Sequence, residues 1–207
     1  MKILMVNGSP NQFGCTYTAL QTVSDVLRSE DIKTEIIWVG DKALQDCTYC
    51  KACEKLGLCI YEDDIVNELI EKSKLADGFV FGAPVVYAHP GGRILSVLDR
   101  LFYAGGKYLA YKPGAAVVSA RRAGTTAALD VLNKYFTMNK MPVVSSQYWN
   151  VLHGRTPEEV KKDIEGLQTM KILGKNMAWQ VKAMNMAKQN GLLPPEEGAR
   201  HITNFIR

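Results

Sequence analysis

Four of the chain's five cysteines, Cys47, Cys50, Cys53 and Cys59, fall inside the stretch "CTYCKACEKLGLC", spaced Cys-x2-Cys-x2-Cys-x5-Cys. Four thiolates from so short a segment could ligate one compact inorganic centre. A [4Fe-4S] cluster takes four cysteine sulfurs around a cuboid, and three of them at intervals of three let a loop wrap it closely. Zinc sites more often join two Cys-x2-Cys pairs through a longer spacer, so the spacing favours a cluster over zinc. The remaining alternative is four thiols that bind nothing. Cys15, remote in sequence, reads as a small loop residue rather than a nucleophile, although a helix N-terminus would lower its pKa.

A second constellation stands in "GSPNQFGCTYTAL", residues 8–20. Ser9, Asn11, Cys15, Thr16 and Thr18 crowd the point where an apolar strand gives way to a helix. Hydroxyls and unpaired backbone N–H groups there would converge on an anion favoured by the helix dipole. The loop lacks the Gly-Lys-Ser/Thr of a Walker A motif and the Gly-x-Gly-x-x-Gly of a dinucleotide turn, so a monophosphate fits it better than a triphosphate or pyrophosphate. The competing reading makes Thr16 only an N-cap and Ser9-Pro10 only a turn. Further on, "GAPVVYAHPGG" (residues 82–92) leaves another apolar strand and exposes main-chain amides beside Tyr87, where a flat heteroaromatic ring could be held. Pro and Gly clusters also simply mark turns. Arg121 and Arg122, in a third loop, are equally suited to meet a ligand or to be solvated.

The elements that must position these loops follow from periodicity. Strand-length apolar runs occur at Ile3 to Val6, Glu35 to Val39, Gly78 to Ala83, Ala115 to Ser119 and Val143 to Tyr148. Between them, Ala19, Leu20, Val23, Val26 and Leu27 share one helical face. So do Ile65, Val66, Leu69 and Ile70; Ile94, Leu95, Leu98, Leu101 and Phe102; and Ala128, Leu129, Leu132 and Phe136. "YEDD", residues 61–64, reads as capping and first-turn acids of the second of these helices. A long last helix is expected over Pro157 to Lys188, kinked at Gly174 and ended by Asn190-Gly191. Its Met170 to Met186 stretch suits core or a subunit surface. Alternating strands and helices, with the strands continuously apolar, predict a doubly wound α/β fold: a five-stranded parallel sheet with helices on both faces. In such sheets the ligand lies beyond the carboxyl ends of the strands, which is where Asn7 to Thr16, Ala83 to Gly92 and Ser119 to Thr125 leave them.

At 207 residues the chain is read as a single domain, 1–207, with a cysteine loop at 47–59 and a C-terminal helix and tail at 157–207. The net charge of +4 is dispersed, without a basic run or a nucleic-acid motif, so nucleic acid is not expected as a partner. No stretch approaches the roughly 20 apolar residues of a membrane helix, and no signal-peptide h-region appears, so the reading is a cytoplasmic protein with reduced thiols and no membrane partner. His89, His153 and His201 show no ligand spacing. Tyr148 and Trp149, at the end of the expected fifth strand, suit packing.

"GSP" after the first strand, a Thr-capped first helix, "APVVYAHPGGRILSVLDRL" after the third strand, "ARRAG" after the fourth and the cysteine cluster after the second resemble one known family. Together they are similar to the NADPH-dependent FMN reductase branch of the flavodoxin-like proteins, and within it to the iron-sulfur flavoproteins. The resemblance covers residues 1–150, with the Pro84 to Asp99-Arg100 spacing as its most specific marker. It implies a sheet of order 2-1-3-4-5 and FMN, rather than FAD, held by Ser9, Asn11, Cys15, Thr16, Tyr17, Pro84, Val85, Val86, Tyr87, Ala88, Ser119, Arg121 and Gly124. It implies a [4Fe-4S] cluster on Cys47, Cys50, Cys53 and Cys59, and a homodimer or homotetramer. Many relatives carry a basic residue at the position of Asn11, and a small or amide residue at that of Cys15.

No catalytic side chain is expected, because the redox chemistry belongs to the flavin. Three functions compete. One is an oxidoreductase in which FMN takes a hydride from NAD(P)H and reduces a small-molecule electron acceptor such as a quinone, nitro, azo or flavin compound. Another is an electron-transfer protein in which ferredoxin reduces the cluster and the cluster exchanges electrons with FMN. The third is a redox sensor without turnover. The filled cysteine motif favours the second, and the bare fold the first.

Overall fold

The computed structural model describes residues 1–199 and positions 201, 203 and 205. Of the tail expected to run to residue 207, positions 200, 202, 204, 206 and 207 lie outside the described residues. The order is β1 (Lys2–Asn7), α1 (Cys15–Ser29), β2 (Lys33–Trp38), α2 (Cys53–Leu56), α3 (Val66–Leu75), β3 (Gly78–Val86), β4 (His89–Pro90), α4 (Gly92–Leu109), β5 (Gly114–Ala120), α5 (Thr125–Met138), β6 (Val151–His153), α6 (Pro157–Val160) and α7 (Ile164–Gln189). The long strands pair in parallel in the order β2-β1-β3-β5-β6, and β4 folds back antiparallel on β3. The expected 2-1-3-4-5 order is therefore present, with a two-residue hairpin strand added.

Because successive side chains of a strand point to opposite faces, each central strand feeds two cores. Leu4, Val6, Phe79, Phe81, Ala116 and Val118 pack under α3, α4 and α5. Ile3, Met5, Val80, Ala115 and Val117 pack under α1 and α7. Helices thus cover both faces.

Two expected elements differ. The fifth strand is not Val143 to Tyr148 but Val151–His153. Val143 makes only an isolated bridge with Gly114, and the chain then leaves the sheet. Polar residues cause the departure: Ser146 donates to the Thr169 carbonyl at 2.7 Å, and Asn176 donates to the Ser145 carbonyl at 2.8 Å, both anchoring the segment to α7. Tyr148 and Trp149 consequently sit in an exposed excursion before the strand rather than at its end. The edge is regained when Val118 N–H donates to the Asn150 carbonyl at 3.0 Å.

The last helix is broken near Lys161 rather than kinked at Gly174. Thr156 caps α6 by accepting from Glu159 N–H, with Pro157 at its first position, and Asp163 caps α7 anew by accepting from Gly166 N–H. Through Gly174, α7 runs on unbroken and presents Met170, Leu173, Met177, Ala178 and Val181 to the core. Met170 and Met177 are core residues, whereas Met186 is exposed. The glycine serves close approach: a Cβ there would stand 2.8 Å from Val26 Cβ and 3.1 Å from the Val23 carbonyl oxygen of α1. Gly174→Leu should therefore destabilise the protein by about 1–3 kcal/mol through overpacking. Urea unfolding followed by circular dichroism measures this, and an unchanged midpoint would remove the close-approach account.

Candidate functional site

The turn after β1 is folded by its own polar atoms. Asn7 is buried at the strand's end; its amide donates to the Gln12 carbonyl at 2.8 Å, and its oxygen accepts from Ser9 N–H at 3.1 Å. Ser9 Oγ accepts from Asn11 N–H at 3.1 Å, and Trp38 Nε1 donates to the Ser9 carbonyl at 2.8 Å. Gly8 N–H donates to the Gly82 carbonyl of β3, and a Cβ at Gly8 would stand 2.5 Å from Ile94 Cβ, so only glycine lets α4 approach here.

Helix α1 starts after Gly14, and no side chain caps it. Thr16 is accordingly not the N-cap. It is the second residue of α1, 1% exposed, and its hydroxyl shares a 2.9 Å hydrogen bond with Ser119 on β5. The first-turn N–H groups are left to an external acceptor, the arrangement that favours an anion. A cleft of about 410 Å³ opens beside them, lined by Pro10 to Cys15, Trp38 and Arg155 to Pro157. Arg155 was not among the sequence candidates; it follows the last strand, and only the fold carries it to the first loop.

The second and third loops meet alongside. Strand β3 continues to Val86, turns through Tyr87 and Ala88, and returns as β4 with Val85 opposite Pro90 and Val86 opposite His89. Tyr87 takes a positive φ of 61° at this tip and is fully exposed. Pro84 lies opposite Ser119 in the sheet register. Gly124 has φ of 85°, and a Cβ there would stand 2.9 Å from Val85 Cγ1, so a glycine is what lets this loop press on the hairpin.

Thus Ser9, Asn11, Thr16, Ser119 and Pro84 are drawn together at one edge, with Val85, Ala88 and Gly124 beside them. Tyr17 turns elsewhere: its hydroxyl donates to Gln21 at 3.0 Å, and its ring meets Phe13 edge-on at 5.2 Å. The thiol of Cys15 contacts the Gly154 carbonyl at 3.6 Å, and burial pushes its pKa up, the reverse of an activated nucleophile. Arg121 is exposed. The arrangement suits a phosphate at α1 with a flat ring extending toward the hairpin, and residues of these types fit FMN.

The cysteine segment lies across α4. Among the described residues no three His, Cys, Asp or Glu side chains are gathered into a metal-holding group. The donor set nonetheless suits iron and sulfide. All four thiols are free, and Cys53 feels the charges of Cys50, Cys47 and Cys59, although burial is the main reason its pKa is raised. Positive φ angles of 53° at Tyr49 and 59° at Lys51 bend the chain on either side of Cys50. Such non-glycine conformations persist only where the surroundings enforce them.

Cys59 is the most firmly held. Asn67 accepts from its N–H at 2.8 Å and donates to its carbonyl at 2.9 Å, while Arg100 Nε lies 3.2 Å from its sulfur. Arg100 also pairs with Asp64, which in turn accepts from Val66 N–H at the start of α3. Asp64 therefore does more than the capping expected of it. In the sequence Arg100 stands only as a spacing marker; its signal is an arginine on the otherwise apolar face of a helix.

A sequence profile of the family described as NADPH-dependent FMN reductase matches residues 1–156. An iron-sulfur flavoprotein of Methanocaldococcus jannaschii is 32% identical over 190 residues, which span 88% of this chain and 98% of that one. Among solved structures, RosB with bound 8-demethyl-8-formylriboflavin-5'-phosphate superposes with a TM-score of 0.68 at 15% identity, covering 100% of this chain and 92% of its own. A flavodoxin from the domain Archaea superposes at 0.60 with 16% identity, covering 88% and 99%. These structural likenesses show the fold, which is flavodoxin-like.

The Thr16–Ser119 bond makes a direct test of loop convergence. Ser119→Ala should cost about 1–3 kcal/mol of unfolding free energy, because it strands a buried hydroxyl. Chemical denaturation measures it, and a neutral effect would show that the two loops are not tied through this pair.

Proposed function

The chain belongs to the NADPH-dependent FMN reductase family and is an oxidoreductase, and on that premise we propose that it works as an iron-sulfur flavoprotein that delivers electrons to a small-molecule acceptor. FMN would be held at the edge formed by Ser9, Asn11, Thr16, Pro84 to Ala88, Ser119 and Gly124, and a [4Fe-4S] cluster by Cys47, Cys50, Cys53 and Cys59. When bound, the flavin supplies hydride and single-electron chemistry and the cluster supplies single-electron exchange.

The observation that carries the reading is the uncapped N-terminus of α1 beside buried Ser9, Thr16 and Ser119. The turn offers donors for one phosphate and the sequence lacks a dinucleotide fingerprint, which favours FMN over FAD. Main-chain groups of the hairpin, Val86 and the exposed Tyr87 would orient the ring and shield it from water. Arg155 would add charge beside the phosphate. No side chain here is asked to move a proton. NAD(P)H and reduced ferredoxin are the two donors that suit this equipment, in a cytoplasmic homodimer or homotetramer that completes the flavin site. A second reading, an NAD(P)H-dependent FMN reductase without a cluster, draws on the cysteines not being gathered into a metal-holding group.

Protein purified and reconstituted without oxygen should release FMN on chromatography and carry about four irons and four sulfides per chain, as a cubane on four cysteines requires. Recovery of FAD, or of no flavin, would sink the flavin assignment. FMN without iron would select the second reading. Reduction rates with NADPH and with reduced ferredoxin then separate the donors.

Ser9→Ala combined with Thr16→Ala should raise the FMN dissociation constant more than tenfold, because each charge-assisted hydrogen bond to a phosphate contributes about 1.5–3 kcal/mol. Fluorescence titration of the flavin reads this directly, and an unchanged constant would leave the loop as a turn and nothing more.

A further inference from the structure

We infer that Arg100 is the positioning residue of the cysteine centre, aiming the sulfur of Cys59 and raising the reduction potential of the cluster held there. The inference rests on the cluster reading above.

Arg100 is 2% exposed and heads the largest fully buried side chains of the protein. Every N–H of its guanidinium has a partner. Nη1 donates to the Gln45 carbonyl at 3.1 Å and to Asp64 Oδ2, and Nη2 donates to the Tyr61 carbonyl at 3.1 Å and to Asp64 Oδ1 at 3.2 Å. The fifth donor, Nε, goes to Cys59 Sγ at 3.2 Å. Among the described residues no other of the four cluster-motif sulfurs receives a side-chain hydrogen bond.

A neutral thiol is a weak acceptor, whereas sulfur bearing negative charge accepts a charge-assisted bond. A fully committed guanidinium that gives one of its N–H groups to sulfur is therefore matched to a ligating thiolate. Because Asp64 offsets the net charge, what reaches the centre is chiefly the directed N–H dipole. Donors to cluster sulfurs stabilise the reduced, more negative state and so raise the potential. With Asn67 fixing both main-chain groups of Cys59, the sulfur is aimed before any iron arrives.

Arg100→Lys keeps a positive charge for Asp64 but cannot also donate to Cys59 through Nε. After anaerobic reconstitution the variant should hold FMN and iron at wild-type levels. A mediated potentiometric titration, with dithionite as electron donor, reads the one-electron couple of the cluster. Poised at the wild-type midpoint, the variant should show a reduced-to-oxidised ratio at least threefold lower, about 28 mV at 59 mV per tenfold, while the flavin midpoint stays in place. A general loosening of the fold would not move one centre alone. Should the variant not fold, wild-type protein labelled with 15N-arginine provides the second readout, as the reduced cluster should show hyperfine coupling to a guanidinium nitrogen. An unchanged cluster midpoint with iron bound, or absent coupling in the labelled protein, overturns the inference and leaves the cluster reading standing. Wild-type protein that takes up no iron overturns both.

Discussion

A parallel sheet has to be buried on both faces, and most of this molecule follows from that constraint. β1, β3 and β5 carry apolar side chains on alternate sides, so each crossover returns through a helix and every strand exits at the same edge. Turns distant in sequence are thereby forced together. Thr16 and Ser119, 103 residues apart, share a buried hydrogen bond only because β1, β3 and β5 are neighbours. Burial also dictates the chemistry of these turns. A polar group at the end of a buried strand must find a partner, and Asn7, Ser9 and Trp38 supply one another's, leaving the first turn of α1 as the group still open to a ligand.

The layers were legible in the sequence because continuous apolar strands and helical faces carry strong periodic signals. Strand order was implied by resemblance, and it agrees. The fifth strand was not legible: Val143 to Tyr148 reads as one β-prone run, but what breaks it is the capture of Ser145 and Ser146 by α7, a contact between distant segments. The restart at Asp163 was obscured for a related reason, since Gly174 looks like the natural weak point until the closeness of α1 explains it. At the candidate site, the first loop and the hairpin singled out in the sequence do lie at one edge of the sheet, while individual roles did not follow from residue type. Thr16 ties two loops together instead of capping a helix, Tyr17 faces Gln21, and Arg155 arrives from a strand the periodicity had misplaced.

Between the two candidate centres stands α4. Its first turn receives the hairpin that would carry the flavin ring, and its Gly91 N–H still bonds the Pro84 carbonyl. Seven residues apart on one face, Arg93 and Arg100 then grip the segment that bears the cysteines. Arg93 holds the carbonyls of Asp41 and Lys42, and Arg100 those of Gln45 and Tyr61 together with the sulfur of Cys59. Two helical turns separate these arginines by about 10 Å. A segment with little regular structure of its own is thus fastened at both ends to the element that also positions the β3–β4 hairpin. Breaking a buried pair such as Arg100–Asp64 costs far more than an exposed one, because the partner left behind is desolvated and uncompensated. The tie between the cysteine segment and α4 is for that reason hard to release, and it sets the spacing between any centre held by the cysteines and a flavin seated beyond β3.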